Sequence, residues 1–198
     1  MSIFDLPTFV ERTISLGEKS VVITAPETWS DNACTILYTK YFRKAGIPSA
    51  IELVKEKGIP SWLQRGIPSK DAKFGPETSA TQVFRRLAGA WAYHGLKGKY
   101  FTAKEAEPFY HKVFAMLANQ VAAPNSPSWF NVGLYWAYGI EGDPSGGFYF
   151  DDKGEIHPAT SNYEHPQGSA CFINHLEDSL MDKDGLMDLW VKVRFPLP

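Results

Sequence analysis

The sequence predicts an α+β chain: a mainly helical amino-terminal unit leading into a β-containing one. Two runs, 79–94 and 102–121, repeat apolar residues at helical spacing, and a short β-branched stretch, Val21-Val22-Ile23, is closed by Pro26. After Pro124 the texture changes to short aromatic and glycine-rich pieces, with Phe148-Tyr149-Phe150 as a strand candidate between turns at 142–147 and 151–154. These observations divide the chain into an arm (1–20), a helical unit (21–123) and a β-containing unit (124–198), with no internal repeat.

Residues 1–20 mix apolar and charged positions without a clean period and read as a loosely ordered arm. From Trp29 a helix is expected, capped by Ser30, with Ala33, Ile36, Leu37, Lys40 and Tyr41 at helical spacing and Gly46 and Pro48 stopping it. Cys34, beside that helix's apolar face, reads as a buried structural thiol. Residues 46–80 alternate glycines and prolines and read as an irregular connector with a short helical piece at 51–57.

Ser79 or Thr81 then opens an amphipathic helix. Val83, Phe84, Leu87, Ala88 and Trp91 face inward, Gln82, Arg85 and Arg86 face water, and Gly95 and Gly98 mark its end. Thr102-Ala103-Lys104-Glu105 fits a capping box, in which hydroxyl and carboxylate each satisfy a free backbone amide. The helix behind it carries Ala106, Phe109, Tyr110, Val113, Phe114, Leu117, Ala118 and Val121 on one face, and Pro108 is tolerable in its first turns. His94 and His111 read as surface or edge residues, since no second metal ligand stands three or four residues after either. Residues 185–195 read as a further helix, with Leu186, Leu189, Trp190 and Val193 on one side.

With 198 residues, 44% hydrophobic and 21% charged, the chain can bury a sizeable core. Its net charge of −2 argues against a nucleic-acid polymer or a membrane surface as partner, but leaves small phosphorylated ligands open. No apolar run is long enough to span a bilayer and no secretory signal opens the chain, so the cytoplasm is the expected location. Two distant cysteines make neither a Cys-x-x-Cys metal pair nor a disulfide framework.

Two segments stand out chemically. In Pro166-Gln167-Gly168-Ser169-Ala170-Cys171-Phe172-Ile173, a small-residue step lets the backbone pass close to something else before a thiol enters an apolar run. Cys171 is either a structural thiol at the start of a buried strand or a functional one polarised by His165 or His175. In Pro124-Asn125-Ser126-Pro127-Ser128-Trp129-Phe130-Asn131, the Ser126 hydroxyl and nearby amides could meet an acceptor such as phosphate, although the residues alone read as an ordinary proline-rich loop. Asp178-Ser179 with Asp182 and Asp184 lacks the order of a calcium loop and reads as an acidic capping loop. No P-loop or dinucleotide fingerprint is present.

These segments, with Trp29-Ser30, Lys40-Tyr41-Phe42-Arg43-Lys44-Ala45-Gly46 and Glu177-Asp178-Ser179-Leu180, make the chain resemble the amino-terminal portion of the class II, adenosylcobalamin (vitamin B12)-dependent ribonucleotide reductases. The resemblance covers roughly residues 10–192 in matching order. It implies a helical domain feeding the first strands of a ten-stranded α/β barrel. It further implies that Cys171 is one member of a redox-active cysteine pair, that Ser126 holds substrate phosphate, that Ala170 and Cys171 line the ribose, and that Asp178, Ser179 and Leu180 begin the effector loop. The implied ligands are a ribonucleotide, favouring diphosphates, and a deoxynucleotide effector. Adenosylcobalamin is the implied cofactor of the intact enzyme, a thioredoxin-type protein the implied reductant, and no metal ligand is assigned. After Trp190 the sequence departs from the family pattern. Activity is therefore expected to need a complementary carboxy-terminal fragment, or the chain to be a silent remnant that serves as a binding or homodimerisation module.

Overall fold

The computed structural model describes residues 3–143, 148–151 and 153–166. It begins with a hairpin. Strands β1 (Phe9–Leu16) and β2 (Lys19–Pro26) pair antiparallel from Phe9↔Pro26 to Leu16↔Lys19. Gly17, at φ 67, makes the tight two-residue turn between them. The expected loose arm is thus corrected over 9–16. Val10, Arg12, Ile14 and Leu16 do alternate inward, but the charge at Arg12 hides that period, and its guanidinium turns to the Trp29 carbonyl and the Asp31 carboxylate.

Helix α1 (Asp31–Ile36) starts where expected, with Ser30 Oγ accepting from the Ala33 amide, and runs into a π-helical turn at Leu37–Tyr41. The widened turn puts Leu37 in the core and leaves Ile36 and Lys40 exposed. Cys34 is buried, 1% exposed, as its structural reading requires.

The 46–80 connector is more ordered than its composition suggests. Strand β3 (Ile47–Pro48) pairs with β6 (Phe74–Gly75), and β4 (Ile51–Val54) with β5 (Arg65–Pro68), both antiparallel. The helical piece expected at 51–57 is therefore a strand. Gly66, opposite Leu53, lies so close to helix α5 (Leu134–Tyr138) that a Cβ there would stand 2.6 Å from the Ala137 carbonyl oxygen, and this packing outweighs local helix preference.

Helices α2 (Ala80–Lys97) and α3 (Ala103–Ala118) form the core layer, each opened by a capping box, Ser79 with Gln82 and Thr102 with Glu105. Phe84 of α2 sits among Phe9, Trp29, Phe114 and Trp129, with ring centroids 5.6–6.4 Å away. Two short helices follow, α4 (Ser126–Asn131) and α5, and the described chain closes with a hairpin of β7 (Phe148–Phe150) and β8 (Ile156–Pro158). The strand expected at 148–150 is present. The helix expected at 185–195 lies outside the described residues.

Arg86 does not face water. It is fully buried, and its Nε donates to Glu77 Oε1 at 2.8 Å, Glu77 being buried too. Its two terminal nitrogens donate to the Val132 and Trp129 carbonyls at 2.8 Å each, with the Tyr41 carbonyl at 3.3 Å. Glu77 Oε2 in turn accepts from the Arg43 amide at 2.8 Å, and Tyr138 donates to Oε1 at 3.3 Å. Burying such a pair is costly unless its donors and acceptors are satisfied, and these bonds satisfy it.

Arg86→Leu should lower unfolding stability by about 3–5 kcal/mol in urea denaturation, because it strands the Glu77 carboxylate in the core. Arg86→Leu with Glu77→Leu should recover only part of that loss, since the Trp129 and Val132 carbonyls stay unpaired. Full recovery would show that those carbonyl bonds contribute little.

Candidate functional site

The Ser126 segment is a short helix with its own cap rather than a loop. Asn125 Oδ1 accepts from the Ser128 amide at 3.2 Å and from the Ser128 hydroxyl at 2.7 Å, and Pro127 fits the first turn, where its missing N–H costs nothing. Ser126 is exposed, and its Oγ lies 3.3 Å from the Tyr41 hydroxyl. The Tyr41 ring stacks on Trp129 with centroids 5.3 Å apart and meets Phe130 at 5.6 Å. Beside it Lys40, Arg43, Lys44 and Phe130 border a concavity of about 390 Å³. Lys44 covers the Tyr38 ring and donates to the Tyr38 carbonyl, and desolvation lowers its pKa.

Two glycines let this segment approach α2. Gly133 has φ 83, and a Cβ there would stand 2.0 Å from the Arg86 carbonyl oxygen. On the facing helix a Cβ at Gly89 would fall 2.1 Å from the Trp136 ring. Trp136 fills that notch and donates to the Leu63 carbonyl at 3.0 Å.

Of the second segment the structure describes the approach. Ala170, Cys171, Asp178, Ser179 and Leu180 lie outside the described residues. The approach turns at Ser161, whose Oγ accepts from the amides of Tyr163 at 3.2 Å and Glu164 at 3.3 Å. Arg43 donates to the Tyr163 hydroxyl at 3.1 Å, and His165 stacks flat on Tyr149 at 3.7 Å. A cavity of about 440 Å³ is walled by Ser128, Gly133, Trp136, Tyr163, His165 and Pro166. Ser128 of the first segment and Pro166, which opens the second, thus line one cavity. His94 stands at the same cavity with one exposed side, and its imidazole pKa is lowered by desolvation first and then by His165 and Lys97.

Three arrangements escape a reading of the sequence. One is the Arg86 junction; its only signal is a charge inside the apolar stripe of Val83, Leu87 and Ala90. The second is the reach of Arg43 to Tyr163 across the fold, which has no local signal. The third is on the closing hairpin, where ligand atoms of Asp151, Glu155 and His157 lie within 4.8 Å of one another, close enough for a cation to bridge. Asp151 Oδ1 is held by the Lys153 and Glu155 amides and Oδ2 by His157 at 3.1 Å; its pKa is lowered, first by the Glu155 amide. Among the described residues no helix is long and apolar enough to cross a membrane.

Residues 16–120 match the family model described as class II vitamin B12-dependent ribonucleotide reductase. The chain belongs to this family. It is 48% identical to the vitamin B12-dependent ribonucleotide reductase of Agrobacterium fabrum over 180 residues, covering 86% of this chain and 14% of that protein. The protein of the same name from Bradyrhizobium diazoefficiens is 47% identical over the same span, and that from Rhodopirellula baltica is 31% identical over 158 residues, 79% of this chain and 13% of that protein. The chain corresponds to an amino-terminal portion of these reductases and spans about one seventh of the length of the first two relatives.

Gly133→Ala should destabilise the chain by more than about 2 kcal/mol, because a left-handed conformation and a backbone clash coincide there. Gly154→Ala, also at positive φ (81°) but with open space around its Cβ position, is the matched control and should cost only about 1–2 kcal/mol. Thermal and urea unfolding of both variants measure the difference.

Proposed function

We propose that the chain is the amino-terminal part of an adenosylcobalamin-dependent ribonucleoside-diphosphate reductase, in which a helical domain leads into the first strands of a ten-stranded α/β barrel. Ser126 holds a phosphate of the ribonucleotide. Ala170 and Cys171 line the ribose, and Cys171 belongs to the cysteine pair that gives up two electrons and closes to a disulfide as the ribose loses its 2′-hydroxyl. A thioredoxin-type protein reopens that disulfide. Asp178, Ser179 and Leu180 begin the loop that receives the deoxynucleotide effector. The enzyme works in the cytoplasm.

The observation that carries this reading is the meeting of the two chemically distinctive segments. Ser128 and Pro166 line one cavity; in the chain, Ser126 stands two positions before Ser128 and Cys171 five positions after Pro166. The family membership supports the chemistry, and the exposed Ser126 hydroxyl supports the phosphate contact. Cobalamin, when bound to the whole enzyme, supplies the radical. An exposed serine hydroxyl, as at Ser126, suits a hydrogen bond to a phosphate ester and not a bond to cobalt. The segment is therefore assigned to substrate, and its own part is to bind and orient.

The test is made in the complete cobalamin-loaded reductase that carries this segment. Ser126→Ala should raise KM for a ribonucleoside diphosphate by roughly ten- to a hundredfold, the worth of a hydrogen bond to a charged group. Cys171→Ser should abolish multiple turnover with a dithiol reductant. Retained multiple turnover would remove Cys171 from the redox pair.

A further inference from the structure

The segment Lys40-Tyr41-Phe42-Arg43-Lys44-Ala45-Gly46 is a distinctive stretch of the helical unit, and no part of the function above falls to it. The structure places it between the two halves of the candidate site. Tyr41 reaches forward with its hydroxyl to Ser126 at 3.3 Å, its ring lies against Trp129 and Phe130, and its carbonyl accepts from Arg86. Two residues on, the Arg43 amide is held by Glu77 while the guanidinium donates to Tyr163 on the approach to the second segment.

We infer that Tyr41 is a positioning residue for Ser126, setting the rotamer and polarity of the hydroxyl that meets the ligand. This rests on the reading of Ser126 as a phosphate contact.

Ser126 carries an exposed hydroxyl on the first residue of a short helix. Left alone, Ser126 Oγ would distribute among its staggered rotamers and bond to water. A phenol is a better donor than an alcohol, so the Tyr41 hydroxyl donates and Ser126 Oγ accepts. Ser126 then keeps its own proton for an anionic oxygen. Accepting one hydrogen bond strengthens the next one donated, so the chain Tyr41 O–H to Ser126 O–H to phosphate oxygen is cooperative.

Tyr41 is itself restrained. Its ring is held by Trp129 and Phe130 of the helix that carries Ser126, and its backbone is tied to the core through Arg86. The hydroxyl donor is therefore fixed in the same frame as its acceptor. Preorganisation of this kind favours binding because little freedom remains to be lost when the ligand arrives. Lys40 is exposed and borders the concavity that Tyr41 and Phe130 also line.

The experiment is a double-mutant cycle on Tyr41→Phe and Ser126→Ala in the complete cobalamin-loaded reductase, with ADP as substrate. Tyr41→Phe keeps the ring stack and removes one oxygen, so the fold survives, and an unchanged thermal midpoint checks this. We expect KM for ADP to rise about three- to tenfold with kcat unchanged. In the Ser126→Ala background the same change should have no further effect, which a merely structural role would not produce.

If Ser126→Ala raises KM while Tyr41→Phe leaves it alone, or if the two effects multiply independently, the positioning role falls and the phosphate role of Ser126 stands. A Tyr41→Phe effect on kcat alone also overturns the positioning role. If Ser126→Ala leaves KM unchanged, the phosphate role falls and takes the inference with it.

Discussion

Much of this structure depends on the Arg86–Glu77 ion pair having its hydrogen bonds completed from outside the pair. Both side chains are wholly out of water. A guanidinium offers five donors and a carboxylate accepts along several directions, so the pair alone would leave buried capacity unmet. The remaining partners come from distant stretches, the carbonyls of Tyr41, Trp129 and Val132, the amide of Arg43 and the phenol of Tyr138. Three of these partners, Tyr41, Trp129 and Tyr138, lie on elements too short to be stable alone. The π-helical turn, α4 and α5 are five or six residues each, well below the length at which an isolated helix holds in water.

The order of dependence runs from the core outward. Helix α2 presents Arg86 on its buried face because Ser79 and Gln82 fix its start and Phe84 is locked among four rings. The backbone at 129–133 comes within reach of Arg86 because Gly133 and Gly89 carry no Cβ. Once the carbonyls of Trp129 and Val132 are bonded, α4 has little freedom, and Ser126 and Ser128 project from a fixed base. A site made on short helices is ordinarily loose, and here a buried charge supplies the rigidity that helix length does not.

How much of this could be read beforehand follows from the range of each cause. The caps of α1, α2 and α3 were legible at Ser30, Ser79 and Thr102 because capping acts over three or four residues. The buried nature of Cys34 was legible from its neighbours. The strand at 9–16 was hidden by Arg12, a long side chain that sits on an inward position while its charge reaches a carbonyl and a carboxylate elsewhere. The strand at 51–54 has no local signature because its pairing partner lies beyond a glycine- and proline-containing turn. The burial of Arg86 has none either, because Glu77 and the carbonyls of Trp129 and Val132 converge on it from elsewhere in the chain. The site followed the same rule. Ser126 was singled out from its prolines and from resemblance, whereas its bond to Tyr41 spans 85 positions and has no local signature.

That long-range wiring bears on the proposal that two segments forty residues apart act as one site. Glu77 bonds through Oε2 to the Arg43 amide, and its own amide donates to the Arg43 carbonyl at 2.8 Å, so Arg43 is bound to it on both backbone sides. From there one branch leads through the Arg43 guanidinium to Tyr163 and the approach to Cys171. The other leads through Arg86 to Trp129 and through Tyr41 to Ser126. Each link is a hydrogen bond of 2.8–3.3 Å, so both segments are tied through a continuous set of bonds to the shared carboxylate. Contiguity of this kind is a physical reason for the segment at 40–46 to keep its residues even where none of them touches a ligand: it is bonded to both.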